Sequence, residues 1–393
     1  MLNIIIIPDN LYKKLSTTTE DEGFLVGSGI MSSSGKTWII ADISKTGNGA
    51  IGKWCVSGDT DPDYPISMVL TESRDIQDIQ VTEPANNSSV MRIVIEQDQY
   101  RERLKVPGFK GINDFSALII GVGSVGSRIA VDLARAGIGK LILIDPDIVE
   151  EKNLCRCEYF ADQIGMNKVH ALPDTIHRIN PAVEVEGISW NILNTTPKMM
   201  ESLISSVDIG FHATDSLPAG YMLNREAYDK LPVVYTGLYH NAFSGFVIYT
   251  LPGVTPCYEC IMPAPGDIRN DNQEAAVREI PDWDYTDNTG RTRAIPGLFV
   301  DISRASTIAS RIGISLLCQE NEKGNFPLHN DRNAVFFCTV PEEDGVFSFP
   351  FQTEWAVTSL RDDCWCQKND PTEDEIRSVE SIIEKIPMED GTE

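Results

Sequence analysis

The chain has 393 residues, 42% of them apolar, and a formal net charge of −25 at pH 7. That is length enough for two domains with full cores, and no apolar run reaches membrane-spanning length. So acidic a chain argues against nucleic acid and anionic membranes as partners, because both are held by basic patches, but a nucleotide needs only a few local cations and a metal. Residues 1–8 lack a basic segment and a small-residue cleavage site, which predicts a strand rather than a signal peptide and a cytoplasmic protein. Nine cysteines include CxxC and CxC pairs, a pattern that favours metal or redox chemistry over a disulfide framework in that compartment.

Strand candidates at 3–7, 36–43, 66–70 and 90–96, separated by Gly/Ser/Asp-rich turns, predict a small β-rich or α+β N-terminal domain over residues 1–97. Within it, Glu20-Asp-Glu-Gly-Phe-Leu-Val-Gly loosely resembles the start of JAB/MPN isopeptidase domains, which hold zinc with a His-x-His pair and an Asp. All five histidines (His170, His177, His212, His240, His329) lie beyond residue 110, so the expectation is a binding or scaffold module without that zinc site. Residues 83–89 read as a linker, and 97–109 as a short polar helix and turn.

An apolar strand at 117–120 then breaks into Gly121, Gly123 and Gly126, which open a helix, and a second apolar strand at 141–144 ends on Asp145. This is a βαβ nucleotide-binding unit. Gly121 and Gly123 let backbone approach a phosphate, and Gly126 lets the helix lie close to the strand. A helix over 165–178 carries Lys168, strands follow at 183–188 and 207–212, and the latter runs into Ala213-Thr-Asp215. A helix at 221–230 and strands at 232–236 and 245–251 continue the alternation. The prediction is an α/β fold over 98–366, with a Rossmann-like, mainly parallel sheet and helices on both faces. Residues 262–295 are polar and aperiodic, as functional loops are. Helical periodicity resumes at 299–317, strands are expected at 334–340 and 345–349, and the acidic tail 367–393 has one amphipathic stretch at 372–384.

The glycine loop alone suits a nicotinamide dinucleotide as well as ATP. Asp145 can hold ribose hydroxyls of either. Asn153, Arg156 and Lys168 follow shortly, and those donors and cations suit a triphosphate, whose α-phosphate gathers charge under nucleophilic attack. Asp215, at a parallel strand end, is placed for Mg. Asp147 is grouped with the nucleotide-binding residues, in a structural or peripheral rather than catalytic role.

These motifs, with Gly165-Met-Asn-Lys168 and Thr255-Pro-Cys257-Tyr-Glu-Cys260, resemble the ThiF/MoeB/HesA superfamily of adenylyltransferases related to ubiquitin-activating enzymes, over about residues 99–366. The resemblance implies that Gly121, Gly123, Gly126, Asp145 and Asn153 line an ATP site, that Arg156 and Lys168 bind phosphates and that Asp215 carries Mg. It implies adenylation of the C-terminal glycine of a ubiquitin-like protein or sulfur carrier, with pyrophosphate released and 262–295 as the crossover loop. It further implies that an arginine before the first strand, Arg103 with Arg101 close behind, reaches the partner subunit's ATP, and hence a homodimer. Adenylation of a short peptide or small molecule, and a non-catalytic nucleotide-binding scaffold, stand as alternatives.

Cys257 and Cys260 with Cys364 and Cys366 make two local pairs that suit a closed structural zinc. The second pair is CxC where the family commonly has CxxC, which leaves Cys338 and Cys318 as substitutes. Relatives that pass their product to a conjugating enzyme carry a crossover cysteine. Here 261–317 has none, Thr292 or Arg293 stands in its place, and Cys155 and Cys157 beside Arg156 read as packing residues. Gly220 stands where relatives often place an arginine.

Overall fold

The β-branched run Ile4 to Ile7 is stiff at χ1 and suits a pleated sheet. It forms β1 (Asn3–Pro8), with Ile5 and Ile7 fully buried. α1 (Asp9–Thr17) follows at once, and its Leu11 and Leu15, one turn apart, pack onto the same core as Trp38 and Trp54. The computed structural model describes residues 3–32, 35–47, 50–58, 63–81, 90–106, 109, 111–262, 296–318, 330–341 and 346–367. The linker at 83–89, nearly all of the 262–295 loop with Thr292 and Arg293, and the helix expected at 372–384 lie outside them.

β2 (Glu22–Ser32), β3 (Gly35–Ser44), β4 (Ala50–Val56), β5 (Ile66–Leu70), β6 (Ile76–Val81) and β7 (Val90–Ile95) complete a seven-stranded sheet in the order β6-β5-β4-β2-β3-β1-β7. β1 runs parallel to β3 and β7, and β4 to β5; the other neighbours are antiparallel.

α2 (Gln97–Tyr100) and a single 3₁₀ turn (Glu102–Leu104) lead into a second sheet. Its alternating elements are β8 (Ser116–Ile120), α3 (Ser124–Arg135), β9 (Lys140–Ile144), α4 (Lys168–Ile179), β10 (Glu184–Ile188), α5 (Pro197–Ser205), β11 (Ile209–His212), α6 (Leu217–Ala227) and β12 (Val233–Leu238). β13 (Ser244–Thr250), α7 (Tyr258–Ile261), α8 (Phe299–Leu317), β14 (Ala334–Cys338) and β15 (Thr353–Ala356) follow. The order is β10-β9-β8-β11-β12-β13-β14-β15. The first five strands are parallel and β13, β14 and β15 are added antiparallel, so the sheet is parallel only in the half that carries the glycine loop.

Strand alternation sends Ile119, Phe211 and Val234 toward α3, α4 and α8, and Leu118, Ile120 and Tyr235 toward α5, α6 and α7. Both faces are thus covered. The strand expected at 345–349 is absent from its described residues, 346–349. There the chain turns instead, with Val346 and Phe349 exposed and Phe351 at φ 61°, before β15 forms. The 221–230 helix starts earlier, at Leu217, because Ser216 caps it by accepting from Ala219 N.

The two sheets meet at the C-terminal ends of α3 and α4. Asn10 Nδ2 donates to Ala182 O (3.1 Å), Gln97 N to Asp9 Oδ2 (3.3 Å) and Gln97 Nε2 to Asn180 Oδ1 (3.3 Å). Tyr100 Oη and Asn180 Nδ2 both reach Ala134 O, at 3.1 and 3.3 Å.

Candidate nucleotide site

β8 and β11 are neighbours, but the chain leaves them in opposite directions across the sheet. Such a switch point opens a crevice at the carboxyl ends of the strands. The glycine loop lines it, and each glycine has its own reason. Gly121 sits at φ 84°, and a Cβ there would lie 2.9 Å from Ala213 O at the end of β11. A Cβ on Gly126 would lie 1.8 Å from Gly121 O, which is the close helix–strand approach expected of it. A Cβ on Gly123 would meet nothing within 4 Å, so this glycine borders open space, beside the first N–H groups of α3.

Asp145 is buried at the end of β9. Its Oδ2 accepts from Val122 N and its Oδ1 from Asp147 N, both at 2.9 Å, so the carboxylate ties the glycine loop to the second strand. Burial raises its pKa, against the pull of Lys168. Lys168, the first residue of α4, has a side chain only 9% exposed, with Nζ 2.7 Å from Asp147 Oδ2 and 3.8 Å from Asp145 Oδ1. Burial works against its ammonium, but the two carboxylates outweigh it and hold the pKa above the usual lysine value.

Asn153 is buried and its Oδ1 accepts from Glu150 N (2.8 Å), which leaves the amide NH₂ as the group it could offer a phosphate. Arg156 is half-buried on the same loop. Cys157 is buried against Ser124 (3.7 Å), and burial pushes its thiol pKa up, opposite to an activated nucleophile. Asp215 is exposed between β11 and α6, one residue beyond Thr214, whose Cβ borders Gly121. The structure therefore gathers Gly121, Gly123, Gly126, Asp145, Asp147, Lys168 and Asp215 around one crevice.

Arg103 is not among them. It lies exposed on the 3₁₀ turn, beside residues that pack on the C-terminal end of α3: a Cβ on Gly137 would touch Arg101 and Leu104. A helix of twelve residues is about 18 Å long, so Arg103 stands roughly that far from the glycine loop of its own chain. Gly220 is packed against His212 and Tyr258; a Cβ there would lie 3.3 Å from each ring, so a larger residue would have to push the rings aside.

Sequence reading passed over Tyr159, whose buried hydroxyl donates to Val122 O (2.7 Å) and braces the glycine loop. Its signal was an aromatic residue three positions past Arg156. Glu259, inside the CxxC pair, was passed over too. It takes both Arg225 Nε (3.0 Å) and Nη2 (3.1 Å) and holds α7 to α6. A charge between two ligand-spaced cysteines was the available cue.

Cys257, Cys260, Cys364 and Cys366 form one cluster whose sulfurs all lie within 4.8 Å of one another. The contacts are 3.7 Å for Cys257–Cys260, 3.6 Å for Cys257–Cys364 and 3.5 Å for Cys260–Cys366. A tetrahedron with Zn–S bonds of about 2.3 Å has edges of about 3.8 Å, so the four thiols fit a closed zinc site. Hydrogen bonds from the Cys257 and Cys364 thiols, and the Arg361 N–H, pull Cys260 well below the ordinary thiol range. Cys338 instead donates to Phe349 O, and Cys318 packs in the core beside α8. No helix among the described residues is long and apolar enough to cross a membrane.

Among known proteins, the chain is 34% identical over 169 residues to ubiquitin-like modifier-activating enzyme 5 of Caenorhabditis briggsae (40% of this chain, 39% of the relative). It is 36% identical over 172 residues to that of Oryza sativa subsp. japonica, covering 40% of each. With the enzyme of Drosophila pseudoobscura pseudoobscura the match is 33% over 207 residues, 50% of this chain and 51% of the relative. The matches span two-fifths to about half of these relatives. Solved structures similar to it include E. coli MccB with ATP (19% identity, TM-score 0.46, 65% of this chain and 67% of that one) and PaaA (23%, TM-score 0.49, 67% and 76%). The ThiF family model matches residues 97–348, which takes in the crevice and every strand of the second sheet but the last, and the chain belongs to the ThiF family.

Proposed function

We propose that this chain uses ATP to adenylate the C-terminal carboxylate of a ubiquitin-like or sulfur-carrier protein with a Gly-ending tail, releasing pyrophosphate. The observation that carries the reading is the buried Lys168 beside Asp145 and the glycine loop. A dinucleotide site has no use for a buried cation there, whereas a triphosphate does. Asp145 would hold the ribose, and the α3 N-terminus, Asn153, Arg156 and Lys168 the phosphates. Asp215 would hold Mg, whose charge screens the phosphate oxygens. A tail carboxylate oxygen attacks the α-phosphorus, the bond to the bridging oxygen breaks, and pyrophosphate leaves with that electron pair; the protein's part is positioning and charge stabilisation. The relatives named as ubiquitin-like modifier-activating enzymes favour a protein tail as the acceptor.

Arg103 lies too far from its own crevice to contribute there, so its use in catalysis requires a second copy of the chain, in a homodimer. Transfer of the product to a conjugating enzyme requires a thioester cysteine; Cys157 is a packing residue by its burial, whereas Cys155 is exposed and does not pack as the sequence suggested. The thiolate cluster would hold one structural zinc that pins the segment carrying Cys364 and Cys366 beneath α7, and Cys364→Ser should cost that metal. Elemental analysis finding no zinc in the intact protein would remove this part of the reading.

Carrier proteins or tail peptides ending in glycine should stimulate ATP–pyrophosphate exchange, and Asp215→Ala should abolish it. The absence of exchange with every such acceptor, ATP being bound, would overturn adenylation of a protein tail.

A further inference from the structure

The cation on which the proposed phosphate site depends is shared with a carboxylate that the nucleotide chemistry does not require. Lys168 Nζ is 2.7 Å from Asp147 Oδ2 and 3.8 Å from Asp145 Oδ1, so the local sum of one ammonium and two carboxylates is negative. A triphosphate that is to use this ammonium must compete with a carboxylate already paired to it at 2.7 Å. Asp145 is ill suited to withdraw, since it is buried and fixed by two backbone N–H groups. Asp147 differs. Its backbone is clamped, with its N–H on Asp145 Oδ1 and its carbonyl accepting from Lys168 N (2.9 Å), but its side chain is 65% exposed. Only the carboxylate can turn away, into solvent, at little desolvation cost.

We propose that Asp147 is an exchangeable counter-ion: it holds the buried ammonium of Lys168 in place and gives it up to the phosphates of ATP, so that it sets nucleotide affinity. It is a positioning residue acting through Lys168. A buried ammonium is costly without close partners, and Asp147 supplies the nearer of its two, beside Asp145 at 3.8 Å, whenever a phosphate does not. A polyanion displaces it more readily than a singly charged ligand does, which biases the site toward triphosphate. After pyrophosphate departs, the carboxylate returns to the ammonium and helps to expel what remains. This inference rests on the reading of Lys168 as a phosphate ligand.

ATP binding by the full chain, measured calorimetrically in EDTA and again in Mg, tests it. Asp147→Asn should tighten ATP by about fivefold in both conditions, the scale of a half-exposed ion pair, and the gain should vanish in a Lys168→Met background. Weaker binding in Mg alone would make Asp147 a metal ligand and overturn the proposal. Unchanged affinity, with the thermal midpoint unchanged, would overturn it as well. Asp147→Ser serves as the second variant should the asparagine impair folding. If Lys168→Met leaves ATP affinity intact, the phosphate-site reading itself fails. If Lys168→Met weakens ATP while Asp147→Asn does not tighten it, only the counter-ion role fails.

Discussion

The two sheets of this protein differ in how their strands run. The N-terminal sheet mixes parallel and antiparallel neighbours, so its loops leave at both ends, and several of its charged groups pair with one another: Lys14 with Asp42, Lys45 with Glu20, Arg74 with Asp21. Its edge strand β7 leaves Met91, Ile93 and Val94 exposed. In the parallel half of the second sheet every strand ends at the same edge. The glycine loop after β8, Asp145 after β9 and Asp215 after β11 therefore converge without any long-range device. Strand direction, more than composition, decides where chemistry can gather.

Each sheet has a glycine that cannot be replaced, and this gives the most drastic way to break the comparison. A Cβ on Gly126 would lie 1.8 Å from Gly121 O, and one on Gly27, at the bulge in β2, 1.9 Å from Ile39 O. Both obstacles are backbone, so neither yields cheaply. Gly126→Ala and Gly27→Ala should each cost several kcal/mol, about 3 or more, read as a loss of thermal midpoint. Gly126→Ala should also abolish ATP binding. Gly27→Ala should leave ATP binding within a few-fold of normal at a temperature below its first transition. An equal loss of ATP binding would show that the sheets fold as one unit and that the N-terminal sheet props up the nucleotide site.

Legibility in the sequence follows the same division. α8 (Phe299–Leu317) and β5 (Ile66–Leu70) have the bounds the periodicity predicts, because each buries a continuous apolar face. β2 and β4 are diluted by Gly23, Gly27, Gly29 and Gly52, glycines that answer to Trp54, Ile39, Trp38 and Ile66 across the sheet, and no local pattern reveals that. β6 is half-exposed along its whole length, and α1 is polar on all but Leu11 and Leu15. At the site, Asp145 and the glycines are legible because they punctuate apolar strands. The Asp147–Lys168 pair is not, since it depends on the loop folding back so that Ile148 bridges Asn167, just ahead of α4. The CxxC spacing announced Cys257 and Cys260. That the CxC pair, rather than Cys318 or Cys338, completes the cluster is a tertiary fact, fixed by Arg361 meeting both the Glu259 carbonyl and the Cys260 sulfur.

The smallest effect sharpens the comparison most, because it samples the second sheet and the junction between the sheets separately. His212 is buried within the second sheet. His177, whose Nε2 lies 3.2 Å from Val183 O, is buried on α4, where Asp42 of β3 acts on it. Burial lowers both pKa values to about 4 from the ordinary 6.5. Below pH 6.5 an unfolded chain therefore takes up protons that the folded one refuses, so the unfolded state binds more protons and stability falls as pH drops from 6.5 toward 4. Each histidine should remove about 0.7 kcal/mol between pH 7 and pH 6, and His177→Gln and His212→Gln should each flatten urea-unfolding stability over that window by that amount. If only His212→Gln flattens it, then His177 titrates at its ordinary value before global unfolding. The contact of α4 with the N-terminal sheet must then open first, and the two sheets are joined less tightly than Asn10, Gln97 and Asn180 would suggest.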